Sequence, residues 1–166
     1  MSYTYEFPRP ALTVDVVLLK IGDKEGTQIL LIQRRKAPYA YHWAFPGGFV
    51  EQNELLEAAA RRELKEETGL EDVELRQLAA FGDPRRDPRG WIVSVAFWGW
   101  VDSDTTQPCA GDDAANAAWW PLGNLPPLAF DHQKILDVAI KRARLTKPSL
   151  FGNLKQENGC GDSNIE

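Results

Sequence analysis

The sequence predicts an α/β protein, a mixed β-sheet sandwiched between helices, and three observations predict it. Apolar and β-branched runs suited to strands are interrupted by two segments with helical spacing, in the order β-β-helix-β-β-helix. A chain of 166 residues fits one domain and leaves little room for a second. Apolar residues make up 43% of it, with six Trp, seven Phe and four Tyr, enough for a packed core and too much for global disorder.

The elements follow in chain order. Residues 11–20 (ALTVDVVLLK) read as a strand, IGDKEG supplies a turn, and residues 28–33 (QILLIQ) return as the second arm of a hairpin. A mixed loop spans residues 34–43, and Gly47 and Gly48 after Pro46 mark a place where backbone geometry is selected. Residues 54–68 turn helical. Leu56, Ala60 and Leu64 form an apolar row beside Leu55 and Ala59, with Asn53 as N-cap and Gly69 as the C-terminal stop. Residues 73–81 and 91–101 (WIVSVAFWGWV) are two further strands, the second central because it is apolar on both faces. Residues 117–121 add a short strand. Residues 130–145 close the domain as an amphipathic helix, with Ile135, Val138 and Ala139 inward and Asp131 as N-cap. The domain thus covers residues 1–146, and residues 147–166 form a polar tail expected to be loosely ordered, with Leu150 and Phe151 free to dock.

A net charge of -5 argues against duplex nucleic acid or an anionic membrane as the main partner. A phosphate ligand would need local basic groups or a bridging cation. Cys109 and Cys160 are too few for a disulfide framework, and neither has the CxxC neighbour of a zinc site. The start MSYTYEFPRPALT has no secretory pattern, and no apolar run approaches the ~18 residues a membrane span needs. A soluble, cytoplasmic protein is expected.

Chemistry gathers on the first helix. Glu63, Glu66 and Glu67 fall within an arc of roughly 100° near its C-terminus. The helix dipole is negative there, and each i, i+3 or i, i+4 carboxylate pair costs ~0.2–0.5 kcal/mol. Three acids so placed either face water or hold cations. Arg62, between Glu54 and Glu66 on the helical wheel, can orient them, and the glycine pair can offer a carbonyl oxygen. Hard oxygen ligands of this kind suit Mg²⁺ or Mn²⁺, which also take up phosphate oxygens.

Gly48, five residues, Glu54, seven residues and then Arg62-Glu63-Leu64-Lys65-Glu66-Glu67-Thr68-Gly69-Leu70 resembles the Nudix box at every defining position. With the PGGF before the box, the resemblance covers residues 8–146 and implies a Nudix-type α/β/α sandwich. It further implies a loop-helix-loop in which Gly48, Glu63, Glu66 and Glu67 bind Mg²⁺ (or Mn²⁺), with Glu54 and Arg62 as an orienting salt bridge. Water would attack a diphosphate, with the base either a box glutamate such as Glu66 or a later acid. Asp112 and Asp113, in the loop before Trp119, are candidates for that later acid.

Residues 81–90 (FGDPRRDPRG) resemble a segment of ADP-ribose pyrophosphatases, as do residues 128–132 and 43–51. Arg85, Arg86 and Arg89 are bidentate donors for phosphate or ribose oxygens, and Arg34 and Arg35, just after the second strand, are further candidates. A charged turn would use the same residues. His42 and His132 read as capping or surface residues before ligand contacts, and Trp91 and Trp98 are the first candidates for base stacking. The expected reaction converts ADP-ribose to AMP and ribose 5-phosphate. The rivals are hydrolysis of oxidised or dinucleoside nucleotides, and ligand sensing without hydrolysis by a regulator that carries a DNA-binding domain. The complete box, the acidic balance and a chain end about twenty residues after the last helix weigh against the sensor. Relatives of this type are commonly homodimers, so a small-molecule partner and a second copy are the expected partners.

Overall fold

The computed structural model describes residues 4–22, 26–101, 107–111 and 114–146. The expectations for Asp112, Asp113, Cys160 and the 147–166 tail lie outside these residues. Among the described residues, seven strands form one mixed sheet: β1 (Ala11–Gly22), β2 (Gly26–Arg34), β3 (Trp43–Ala44), β4 (Gly47–Phe49), β5 (Arg76–Phe81), β6 (Ile92–Val101) and β7 (Ala114–Pro121). The helices are α1 (Leu56–Thr68) and α2 (His132–Thr146). The strand order is β3-β2-β1-β6-β5, with β4 also on β1 and β7 also on β2. β1 and β6 run parallel, from Ala11 beside Ile92 to Lys20 beside Val101, while the other pairings are antiparallel.

Alternation along β1 makes the layers. Val14, Val16 and Leu18 pack with Ala59, Ala60 and Leu64 of α1, whereas Val17 and Leu19 pack with Ile135, Leu136, Ala139 and Ala143 of α2. Helices on both faces bury the sheet from both sides, so β1 and β6 read as continuous apolar runs. The sandwich is the expected one.

Several local expectations need correction. β3 and β4 occupy segments that lack a strand pattern. α1 begins at Leu56, and its N-cap is Leu55, which makes no side-chain cap. Asn53 instead adopts a left-handed turn conformation, while Glu54 is held outside the helix by the Glu51 amide and by Arg62. Leu55 is exposed rather than part of the apolar row. Gly69 does end the helix, left-handed, with its amide on the Lys65 carbonyl. β5 starts at Arg76, although Val73 and Leu75 are buried against the α1 side of the core. α2 starts at His132, two residues late, and Val138 is only partly buried. Trp98 lies in the core under α2, unavailable for stacking, whereas Trp91 is exposed.

Candidate active site

β4 is the hinge of the site. Gly47 and Gly48 pair with Asp15 and Val14 of β1, and each has a neighbour where a side chain would begin. A Cβ on Gly47 would fall on the Val14 carbonyl oxygen, and one on Gly48 would fall on the Glu63 carboxyl. At Gly47 the strand therefore fits against β1 only as glycine, whereas a side chain at Gly48 would displace the Glu63 carboxyl. The Gly47 amide donates to Glu67 Oε2 at 2.9 Å.

Across this slot, Arg62 organises the acids. Its Nε and Nη2 donate to the two oxygens of Glu54 at 2.8 and 2.9 Å, and Nη1 donates to Glu63 Oε1 at 2.7 Å and Glu66 Oε2 at 3.3 Å. A further bond to the Phe49 carbonyl, 3.1 Å, ties β4 to the same guanidinium. The Arg62 hydrogen bond, with help from the Glu51 amide, holds the Glu54 carboxyl down at about 2. Burial pushes Glu63 up, against the pull of Arg62.

Glu67 is pushed up to about 8. Burial is the main cause, opposed by the Gly47 amide and reinforced by the charges of Glu63 and Asp15. This half-buried carboxyl meets the charges of Glu63 and Asp15 ahead of the opposing charge of Arg34, an oxygen donor set to which a hard divalent cation would add positive charge. Glu63, Glu67 and the Gly48 backbone fit that role. Among the described residues no three acids, histidines or cysteines stand as a ready-made cage: Glu63 and Glu66 are turned to Arg62.

Beyond β4 opens a pocket of about 460 Å³, counting the solvent at its mouth, lined by Asp15, Arg34, Gly48, Phe49, Arg89 and Phe130 among others. Arg34 donates to the Pro38 carbonyl at 3.0 Å and lies 4.8 Å from the Phe130 ring. Arg89 grips Asp87 with Nε and Nη2 and lies between the Phe49 and Phe130 rings, at 5.0 and 5.3 Å. Asp87 stays below its ordinary value, although burial works the other way, because Arg89 bonds to it.

The structure thus brings Arg34, Arg86 and Arg89 together with Gly48, and it leaves Arg85 out. Arg85 is exposed on another face beside Pro84 and Trp91. Arg86 lines the pocket but is buried, its fork closed on Asp131 at 3.0 and 2.7 Å. Asp131, expected as an N-cap, spends its carboxylate on that pair. His132 is buried too, contrary to the surface reading. Sequence reasoning passed over Asp15, Phe49 and Phe130. The acid in TVDVV, charged within an apolar strand, was the available signal for Asp15.

The geometry is that of an acid-bearing loop-helix beside an arginine- and phenylalanine-lined pocket. The NUDIX domain family model matches residues 10–139. The ADP-ribose pyrophosphatase of Methanocaldococcus jannaschii is 44% identical over 127 residues, 76% of this chain and 71% of that protein. The ADPR responsive transcriptional repressor NtrR of Acinetobacter baylyi is 38% identical over 82% of this chain, a match that spans 56% of the repressor. Among solved structures, the NUDIX domain of Shewanella oneidensis NrtR complexed with ADP ribose superposes with a TM-score of 0.75 at 34% identity, covering 82% of this chain and 90% of that one. A MutT/nudix family protein from Enterococcus faecalis gives 0.76 at 34% identity, over 86% and 65%. This chain belongs to the NUDIX family and is a Nudix hydrolase.

Proposed function

We propose that the protein is a Mg²⁺-dependent (or Mn²⁺-dependent) pyrophosphohydrolase that cleaves a nucleoside diphosphate linked to another group, with ADP-ribose as substrate and AMP and ribose 5-phosphate as products. One observation carries the reading: Gly48 lies against the Glu63 carboxyl and also lines the arginine pocket. A diphosphate held by Arg34 and Arg89 would therefore rest beside the acids of α1. Glu63, Glu66, Glu67 and the Gly48 carbonyl would hold the cation, which when bound neutralises the diphosphate and lowers the pKa of attacking water.

The chain's own groups divide the remaining work. Arg34 and Arg89 bring guanidinium charge to the pocket, the Nε and Nη2 of Arg89 being engaged by Asp87, and the Phe49 and Phe130 faces bound the organic part of the ligand. Arg62, locked on Glu54, orients Glu63 and Glu66. Glu66, exposed at the helix end, is a candidate proton acceptor for water, and Asp112 and Asp113 remain candidates for that role. Backbone bonds from Cys109 and Gly111 to the Thr68 and Glu67 carbonyls, at 2.9 and 3.2 Å, fasten the segment before them to the end of α1. The water oxygen adds to one phosphorus, the anhydride bond breaks, and each product leaves with a phosphate.

Sensing without turnover is the second reading, supported by the likeness to NtrR and to the ADP-ribose complex of NrtR. A homodimer and a cytoplasmic location remain part of the proposal. No helix among the described residues is long and apolar enough to cross a membrane. Steady-state hydrolysis of ADP-ribose, NADH, a diadenosine polyphosphate and 8-oxo-dGTP, with Mg²⁺ and then with chelator, decides between the readings. ADP-ribose giving AMP and ribose 5-phosphate at the best kcat/KM supports the first. Tight ADP-ribose binding with no turnover supports the second, and preference for another nucleotide overturns the substrate.

A further inference from the structure

Below the pocket runs a chain of buried polar groups that the reaction as described leaves unused. Ser94 of β6 donates to Asp15 Oδ2 on β1, and Asp15 Oδ1 lies 3.5 Å from His132 Nε2. On the other side of the ring, His132 Nδ1 accepts the Phe45 amide at 3.0 Å. The imidazole is 3% exposed and stacks on the Phe45 ring at 4.9 Å with 6° between the planes. Its neighbour Asp131 is gripped by Arg86, which fixes the start of α2. An apolar core has no use for an aspartate, a histidine, a serine and an arginine at such depth, since each must be paired to be tolerated.

We propose that His132 is a positioning residue of the active site: it holds the Phe45 amide, and through it sets the place of Gly47 and Gly48 against Glu67 and Glu63. The argument is a short chain of bonds. Phe45 is two residues before Gly47, whose amide holds Glu67 Oε2, and three before Gly48, on which Glu63 rests. An acceptor at Nδ1 requires that nitrogen to be unprotonated, so the ring carries its proton on Nε2, facing Asp15. Burial favours this uncharged form, against Asp15 and Asp131 and in line with Arg86 and Arg34. The coupling joins the arginine segment to the glycine pair through Asp131 and His132, and its catalytic consequence rests on the function proposed above.

The first test needs no substitution. The chain has two histidines, so ¹⁵N-histidine NMR resolves the ring at His132. A neutral ring protonated at Nε2, unchanged from about pH 8 to about pH 6, is expected. An Nδ1–H tautomer or an imidazolium overturns the proposal, whether or not any variant folds. The second test compares His132→Asn, whose Oδ1 stands close to the place of Nδ1, with His132→Gln, whose amide reaches past it. Glutamine is expected to speed exchange of the Phe45 and Gly47 amides in metal-free protein roughly tenfold or more, and to lower kcat for ADP-ribose by about as much with KM within about threefold. Asparagine restores both to within about threefold of wild type. Wild-type protection of Phe45 in the glutamine variant overturns the proposal. So does equal loss in both variants, which would mark a role in stability alone. A wild-type protein that fails to hydrolyse ADP-ribose removes the proposed function, and the tautomer and exchange readings still decide the role of His132.

Discussion

Arg62 donates to three carboxylates, yet they share it unequally. Glu54 takes two bonds and is held at about 2, while Glu63 is pushed up because burial outweighs its share of the guanidinium. Glu54 is thus a pH-dependent strut between the loop and α1. Its folded value lies below the ordinary 4.5, so its contribution is fully present above that ordinary value and is lost as pH falls toward about 2. Urea midpoints of metal-free protein should fall across that window, and Glu54→Gln should flatten the fall; an equally steep acid limb in the variant would remove the strut from the account. The arginines divide just as sharply. Arg89 faces the pocket and Arg85 does not, so Arg89→Ala should raise KM for ADP-ribose roughly tenfold or more, while Arg85→Ala stays within about twofold. Equal effects would place the ligand elsewhere. Composition could name these arginines but could not aim them. Arg86 finds its partner Asp131 across 45 positions, and no local spacing encodes that choice.

At the scale of elements, the long patterned pieces were legible: β1, β2 and β6 are extended apolar runs, and the box helix repeats at i, i+4. The pieces without a pattern were not. β3 and β4 are two and three residues long, too short to show alternation, and they owe their pairing to β1 and β2. The capping signal at Asn53 lost to the Glu54–Arg62 pair, which draws the preceding residue out of the helix. Gly47 and Gly48 were recognised as special, but only the packed structure distinguishes them. A methyl on Gly47 meets strand backbone, which cannot step aside, whereas one on Gly48 meets the end of the Glu63 side chain, which can. Gly47→Ala should therefore destabilise by ~1–3 kcal/mol or more. Gly48→Ala should keep most of the wild-type stability while losing turnover, because Glu63 is displaced. Thermal melts beside kinetics separate the two, and a Gly48→Ala variant with wild-type kcat would detach Glu63 from catalysis.

For the molecule as a whole, the sandwich was readable because both faces of the central strands are apolar. The pocket was only half readable, because it forms where β1, β4, residues 83–90 and the start of α2 meet. Those segments are far apart in sequence, and beneath β4 they bring the carboxyls of Glu63 and Glu67 against Gly48 and Gly47. This has a thermodynamic consequence. A cation that binds the native cluster and not the unfolded chain stabilises by mass action, by about 2.7 kcal/mol at a hundredfold excess over its Kd. For a chain of this size that corresponds to a rise in Tm of roughly 5–10 °C. Mg²⁺ titrated into chelator-treated protein should produce this rise, saturating, and Glu67→Gln should abolish most of it together with kcat while the metal-free Tm is kept or raised. The last clause follows from shape and partial burial: glutamine fills the same space, still accepts the Gly47 amide, and carries no charge to desolvate at any pH. If the variant melted far below wild type without metal, Glu67 would be a structural residue. If it kept the full Mg²⁺ response, the cation would bind somewhere other than beneath β4.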